Sequence, residues 1–221
     1  PKLERNAIYN SLYEREVYAT SGERILLWFN LLDSENGITP MGREINISQK
    51  PQFEVTAIGS FKQKPGCPEY VHTAMSAEEI SRLCLNECYN PSNERNKIDR
   101  IEIVKITPTT ELDSISNNIQ DPWKVFTCND KGEGCSANFF DDEYVLNNKS
   151  SLYYARAIQE PTNIVGGDPL RCELNEAGEC IKIRPCYSSG PDFDPNDDCL
   201  ALVGERAWSS PIFLTHPMSI Y

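Results

Sequence analysis

The chain is 221 residues long, and its 33 acidic against 21 basic residues give a formal net charge of −12, which repels phosphate backbones and anionic headgroups and argues against nucleic-acid and membrane-surface binding. Its longest apolar run, residues 25–32 (I-L-L-W-F-N-L-L), is far too short to span a bilayer. A chain of this length builds a core without staples, so its nine cysteines do something other than replace one.

The sequence starts Pro1-Lys2-Leu3-Glu4-Arg5, with neither an initiator Met nor an apolar leader, and reads as an internal start. Leu3, Ala7, Ile8, Ser11 and Leu12 recur at helical spacing, with Glu4, Arg5, Asn10 and Glu14 elsewhere around the axis. This predicts an amphipathic helix over residues 2–15. The β-branched and aromatic Val17-Tyr18-Ala19-Thr20 predicts a short strand, broken by Ser21-Gly22. Residues 25–32 follow as a strand buried on both faces.

Beyond Asp33 the pattern is β-rich. Strands are predicted at residues 53–58, 101–106, 123–126, 152–158 and 211–215. Strands this far apart, mostly without helices between them, give a mainly β fold, an antiparallel β-sandwich decorated by loops. One helix interrupts them at residues 77–87, opened by a capping box in which Ser76 and Glu79 satisfy each other's backbone amides. Residues 166–195 read as a single stapled, surface-lying excursion with a short strand at 181–184.

Six cysteines fall into three short-spaced pairs, Cys128 with Cys135, Cys172 with Cys180 and Cys186 with Cys199. Each interval is rich in Gly, Asn, Asp or Pro, so each predicts a loop closed by its own disulfide. Of the remaining three, Cys67 and Cys88 form the favoured pair, across the G-C-P turn and the helix. That leaves Cys84 as the odd thiol. A zinc site would need paired spacings such as C-x2-C, which do not occur, and His72 and His216 stand alone. Disulfides persist where the surroundings oxidise, so the expected location is periplasmic or extracellular.

Catalytic signatures are sparse. With two isolated histidines, Ser-His-Asp and Cys-His arrangements have no supporting motif, and each histidine reads as an ordinary surface or loop residue. Asp192, Asp194 and Asn196 alternate like the opening of a calcium loop, with Asp198 completing the candidate ligand set. The pattern breaks at Asp197, where the turn glycine belongs, and at Val203, where the bidentate Glu belongs. A calcium site and a solvated acidic loop both remain open. Trp123, Trp208 and the Tyr153-Tyr154 pair read as core or interface aromatics. Arg156, inside an apolar strand, needs a carboxylate such as Glu160 or Glu205.

Two long stretches carry a resemblance. R-N-A-I-Y-N-S-L-Y-E-R-E-V-Y-A-T-S-G-E-R-I, from Arg5 to Ile25, and E-R-A-W-S-S-P-I-F, from Glu205 to Phe213, resemble the two ends of the C-terminal third of a bacterial family catalogued as domain of unknown function 3604. Between them C-P-E-Y, R-I-E-I-V-K, D-P-W-K-V-F-x-C, Y-Y-A-R-A-I-Q-E-P-T, G-D-P-L-R-C and D-D-C-L follow the same order. That family resembles the polymerase-and-histidinol-phosphatase (PHP) superfamily, in which a distorted α/β barrel holds a cluster of divalent metals and hydrolyses phosphate esters.

The resemblance implies that residues 1–33 are the last helix and strands of an upstream barrel and that residues 34–221 are a disulfide-stapled, β-rich C-terminal domain. The metals' His, Asp and Glu ligands, in motifs such as H-x-H, are absent here, so the resemblance puts them upstream of Pro1 and makes the upstream part of the same polypeptide the partner. Thr20, Ser21 and Arg24 are the candidate phosphate-proximal residues, with a plain tight connection as the other reading of that turn. Two functions are therefore expected. One is an accessory segment of an exported metal-dependent phosphoesterase, and the other is a non-catalytic extracellular binding or structural β-domain stabilised by calcium.

Overall fold

The computed structural model describes residues 3–33, 37–86, 88–108, 118–128, 134–165, 170–185 and 199–218. The chain divides into two compact units, one comprising Pro1–Gln159 with Arg206–Tyr221 and the other Glu160–Glu205. In the first unit the elements run α1 (Arg5–Tyr13), β1 (Tyr18–Thr20), β2 (Leu26–Asp33), β3 (Gly37–Pro40), β4 (Glu44–Asn46), β5 (Gln52–Ile58) and β6 (Phe61–Gln63). They continue with α2 (Glu69–Ala74), α3 (Ala77–Cys84), β7 (Pro91–Arg95), β8 (Ile98–Ile106), β9 (Ile119–Thr127), β10 (Gly134–Phe140), α4 (Glu143–Asn147) and β11 (Ser151–Gln159). The second unit holds β12 (Thr162–Val165), β13 (Cys172–Leu174), β14 (Cys180–Ile183) and β15 (Leu200–Val203), after which β16 (Arg206–Ser209) and β17 (Ile212–Thr215) return to the first.

Two large sheets and a short β6–β7 pair build the first unit. The smaller runs β10-β5-β2-β3, antiparallel throughout. The larger centres on β11, which pairs with β8 along one side and with β16 and then β17 along the other. β9 extends it beyond β8, β1 extends it beyond β16, and β4 adds a single parallel pairing to β17. The mainly β, antiparallel reading is seen in these pairings.

The core forms where the two sheets face each other. β5 alternates as its sequence predicts, with Phe53, Val55 and Ala57 buried and their neighbours half-buried. Residues 25–32 do not behave as predicted. Leu27, Phe29 and Leu31 are buried, but Trp28 on the opposite face is 45% exposed, so this strand has one wet face. The strand buried on both faces is β8, where Ile101 to Lys105 are all buried. Phe53 stacks on Phe139 at 5.1 Å and meets Tyr153 of the opposing sheet at 4.7 Å, contacts worth about 0.5–1.5 kcal/mol each beyond area burial.

The capping box forms as read. The Glu79 amide donates to Ser76 Oγ and the Ser76 amide donates to the Glu79 carboxylate, opening α3 at Ala77. Three of the expected disulfides are present. Cys67–Cys88 joins the turn before α2 to the segment after α3, leaving Cys84 as a free thiol. Cys128–Cys135 ties the end of β9 to the start of β10, one strand from each sheet. Cys172–Cys180 closes the β13–β14 hairpin. Cys199 is disulfide-bonded, while Cys186, its expected partner, lies outside the described residues. The predicted excursion over 166–195 is part of a larger unit, and that unit has the β12–β15 pair as well as the hairpin.

Candidate functional site

The turn after β1 uses its polar groups within the fold. Thr20 sits opposite Ala207 in the β1–β16 ladder. The Ser21 amide donates to the Arg206 carbonyl at 2.9 Å, and the Arg206 amide donates back to Ser21 Oγ at 2.9 Å. The Arg24 guanidinium lies 4.3 Å above the ring of Tyr89, a cation–π contact. Thr20 and Ser21 thus extend the pairing of the edge strand β1 with β16, and Arg24 stacks on an aromatic ring. Asp192, Asp194, Asn196 and Asp198 lie outside the described residues. Among the described residues no three His, Cys, Asp or Glu side chains gather in a way that could hold a metal ion.

The end of α1 is built around left-handed Arg15. Its φ of 60° lets the Glu16 amide reach the Ser11 carbonyl at 2.9 Å and the Arg15 amide reach that of Leu12 at 3.2 Å, the paired bonds of a Schellman cap. Arg15 Nε donates to the Gly42 carbonyl at 3.0 Å. Arg43 then clamps the same end, donating to Glu14 at 2.6 Å and to Glu16 at 3.0 Å. An open cleft of about 660 Å³ lies here, lined by Tyr9, Tyr13, Glu14, Glu16 and Arg43 among others. Two carboxylates neutralise its one guanidinium, so it offers no anion site.

The apolar stripe of α1 is uncovered. Ile8 is 52% and Leu12 62% exposed, Tyr9 and Tyr13, stacked at 6.1 Å, stand out with them, and Leu3, just before the helix, is exposed as well. The periodicity gave a helix over residues 2–15; a helix forms from Arg5 to Tyr13, and none of its residues is buried.

The densest chemistry in the larger unit was missed in the sequence. Lys105 Nζ lies 2.6 Å from Asp141 Oδ2, both side chains at most 5% exposed. Tyr153 donates its hydroxyl proton to the same oxygen at 2.6 Å, and the Glu143 amide donates to Asp141 Oδ1 at 3.0 Å. Lys105 also stands 5.2 Å from the Trp123 ring centroid. Burial, and then the Asp141 charge it faces, push the Tyr153 phenol up, so it remains a donor. The available signal was alternation. Ile101, Ile103 and Lys105 share one face of β8, and two of the three are core residues.

On the other face of β8, Glu102 accepts from Arg100 at 2.7 Å and from Arg156 at 2.7 Å, and Arg156 also meets Asp121 at 2.7 Å. These are the carboxylates that Arg156 finds, where Glu160 or Glu205 had been expected. Burial alone raises the Glu102 carboxyl, but the hydrogen bonds and charges of the two guanidinium groups outweigh it and hold the group below the usual carboxylate range. His216, read as a surface or loop residue, lies in the loop after β17 but not at the surface. It is buried against Tyr144 at 5.4 Å, and its Nδ1 accepts from the Met218 amide at 3.2 Å. No protein-family model matches this chain, and neither does any curated protein or solved structure.

Proposed function

We propose that this chain is the C-terminal accessory segment of an exported, PHP-like metal-dependent phosphoesterase, with the catalytic metals held by the preceding part of the same polypeptide. The observation that carries this reading is the uncovered apolar face of α1, formed by Ile8, Leu12 and the Tyr9–Tyr13 pair. Burying a Leu or Ile side chain is worth about 1.5–3 kcal/mol, and contiguous apolar surface of this kind marks a face that another body covers. The helix end is fixed by Arg15 and Arg43, so the stripe is presented in one orientation. The motif series from Arg5 to Phe213 supports the same reading. The disulfides, and the lack among the described residues of any helix long and apolar enough to cross a membrane, are compatible with export.

In this reading the turn from Thr20 to Arg24 is the connection from β1 into β2, with Ser21 engaged by Arg206 and Arg24 by Tyr89. The test is to express the genomically preceding segment separately and ask whether it binds this chain. Association that is lost on combining Ile8→Glu with Leu12→Glu is the expected result, together with H-x-H and carboxylate ligand motifs in that segment. A preceding segment that lacks those motifs, or that ignores the chain, would leave the non-catalytic extracellular β-domain as the better account.

A further inference from the structure

We propose that Lys105 and Asp141 condense into an amide cross-link that joins the two sheets of the larger unit covalently, formed by the folded chain on itself. The inference stands apart from the phosphoesterase reading, because it rests only on the buried centre. Lys105 belongs to β8 of the larger sheet, and Asp141 directly follows β10 of the smaller. Nζ lies 2.6 Å from Oδ2, an atom bonded to the carboxyl carbon Cγ, so folding has already brought the amine to the carboxyl group that it would attack.

Each polar group around Asp141 has a place in the condensation. The Glu143 amide faces Oδ1 at 3.0 Å, where charge develops in a tetrahedral intermediate. The Tyr153 hydroxyl faces Oδ2 at 2.6 Å, the oxygen that leaves. The Trp123 and Tyr153 rings wall the centre, 5.2 Å and 6.0 Å from Lys105 Nζ, and Phe139 packs against Trp123 at 6.0 Å. Such walls keep out the water that would reverse the reaction. A plain ion pair is a poor use of this place, since the desolvation of two buried charges offsets their attraction. Condensation removes both charges together.

The step balances without an oxidant, a reductant or a co-reactant. Nζ gives a proton to Oδ2, and its freed electron pair adds to Cγ while Oδ1 takes the negative charge. A second Nζ proton passes through the Tyr153 hydroxyl to Oδ2. The Cγ–Oδ2 bond then breaks with its electron pair, the Oδ1 carbonyl re-forms and water departs. One Nζ–Cγ amide remains, with a single proton on nitrogen.

The experiment is the intact mass of the full chain after reduction and denaturation, followed by peptide mapping. The expected mass is lower than that of the sequence by one water, and the loss maps to a branched peptide joining the Lys105 and Asp141 segments. Lys105→Arg should restore the full mass. Tyr153→Phe, which removes one hydroxyl from an intact ring, should lower the cross-linked fraction of freshly made protein by about tenfold or more. The full sequence mass in the wild-type chain overturns the proposal. So does a water loss that maps within one unbranched peptide.

Discussion

Gly42 is where the α1 end meets the sheets, and its backbone leaves no room for a side chain. Its φ is +91°, and a Cβ there would stand 2.2 Å from the Arg15 carbonyl oxygen. Gly42→Ala should therefore cost about 3 kcal/mol through clash and left-handed strain, read as a lower denaturant midpoint; an unchanged midpoint would contradict the packing described. Glu102 makes a prediction about pH. Its folded carboxyl titrates below its unfolded value of about 4.3, so the stability it contributes is present above that pH and is lost as pH falls through the lower, folded value. Glu102→Gln should cost about 2 kcal/mol near neutrality and flatten the acid limb of a stability profile. Equal acid limbs in the two proteins would remove Glu102 from the account. At this scale the sequence was partly legible. The Ser76–Glu79 box announced itself through spacing, whereas Lys105, Asp141 and Tyr153 are brought together only by the packing of two sheets.

Among the elements, α1 and the β13–β14 hairpin are the least supported by the core. Leu12 is exposed, so Leu12→Glu should shift the stability of the isolated chain by no more than about 0.5 kcal/mol. A larger loss would mean that the stripe is already covered within this chain. A lone two-stranded hairpin is marginal in water, and Cys172–Cys180 is what closes this one. Replacing both cysteines by Ser should remove about 2–3 kcal/mol of local protection, seen as fast amide exchange across residues 172–183; unchanged exchange would show that the bridge is dispensable. Elements whose pattern matched their period, such as β5, β11 and α3, were legible in sequence. β4 was not, because its three residues carry neither a period nor the β-branched and aromatic run that marks β1, and it exists through its parallel pairing with β17. The 25–32 run misled because Trp28 is apolar yet lies on the wet face.

For the whole molecule, strands spaced without helices and short-spaced cysteines were enough to read a stapled, mainly β fold. The division at Gln159 and Arg206 was not readable, because no Gly- or Ser-rich linker marks it and the second unit is tied by its own strands and disulfide. Alkylation of the unreduced, denatured chain should label Cys84 and leave Cys67, Cys88, Cys128, Cys135, Cys172 and Cys180 unlabelled. Labelling of those six would undo the inference of an oxidising compartment. The central claim is that the chemistry belongs to the preceding polypeptide and this chain accompanies it. It is tested most directly by assaying phosphomonoester hydrolysis with added divalent metal, for residues 1–221 alone and joined to the genomically preceding segment. Turnover only in the joined protein is the predicted result, and turnover by residues 1–221 alone would contradict it.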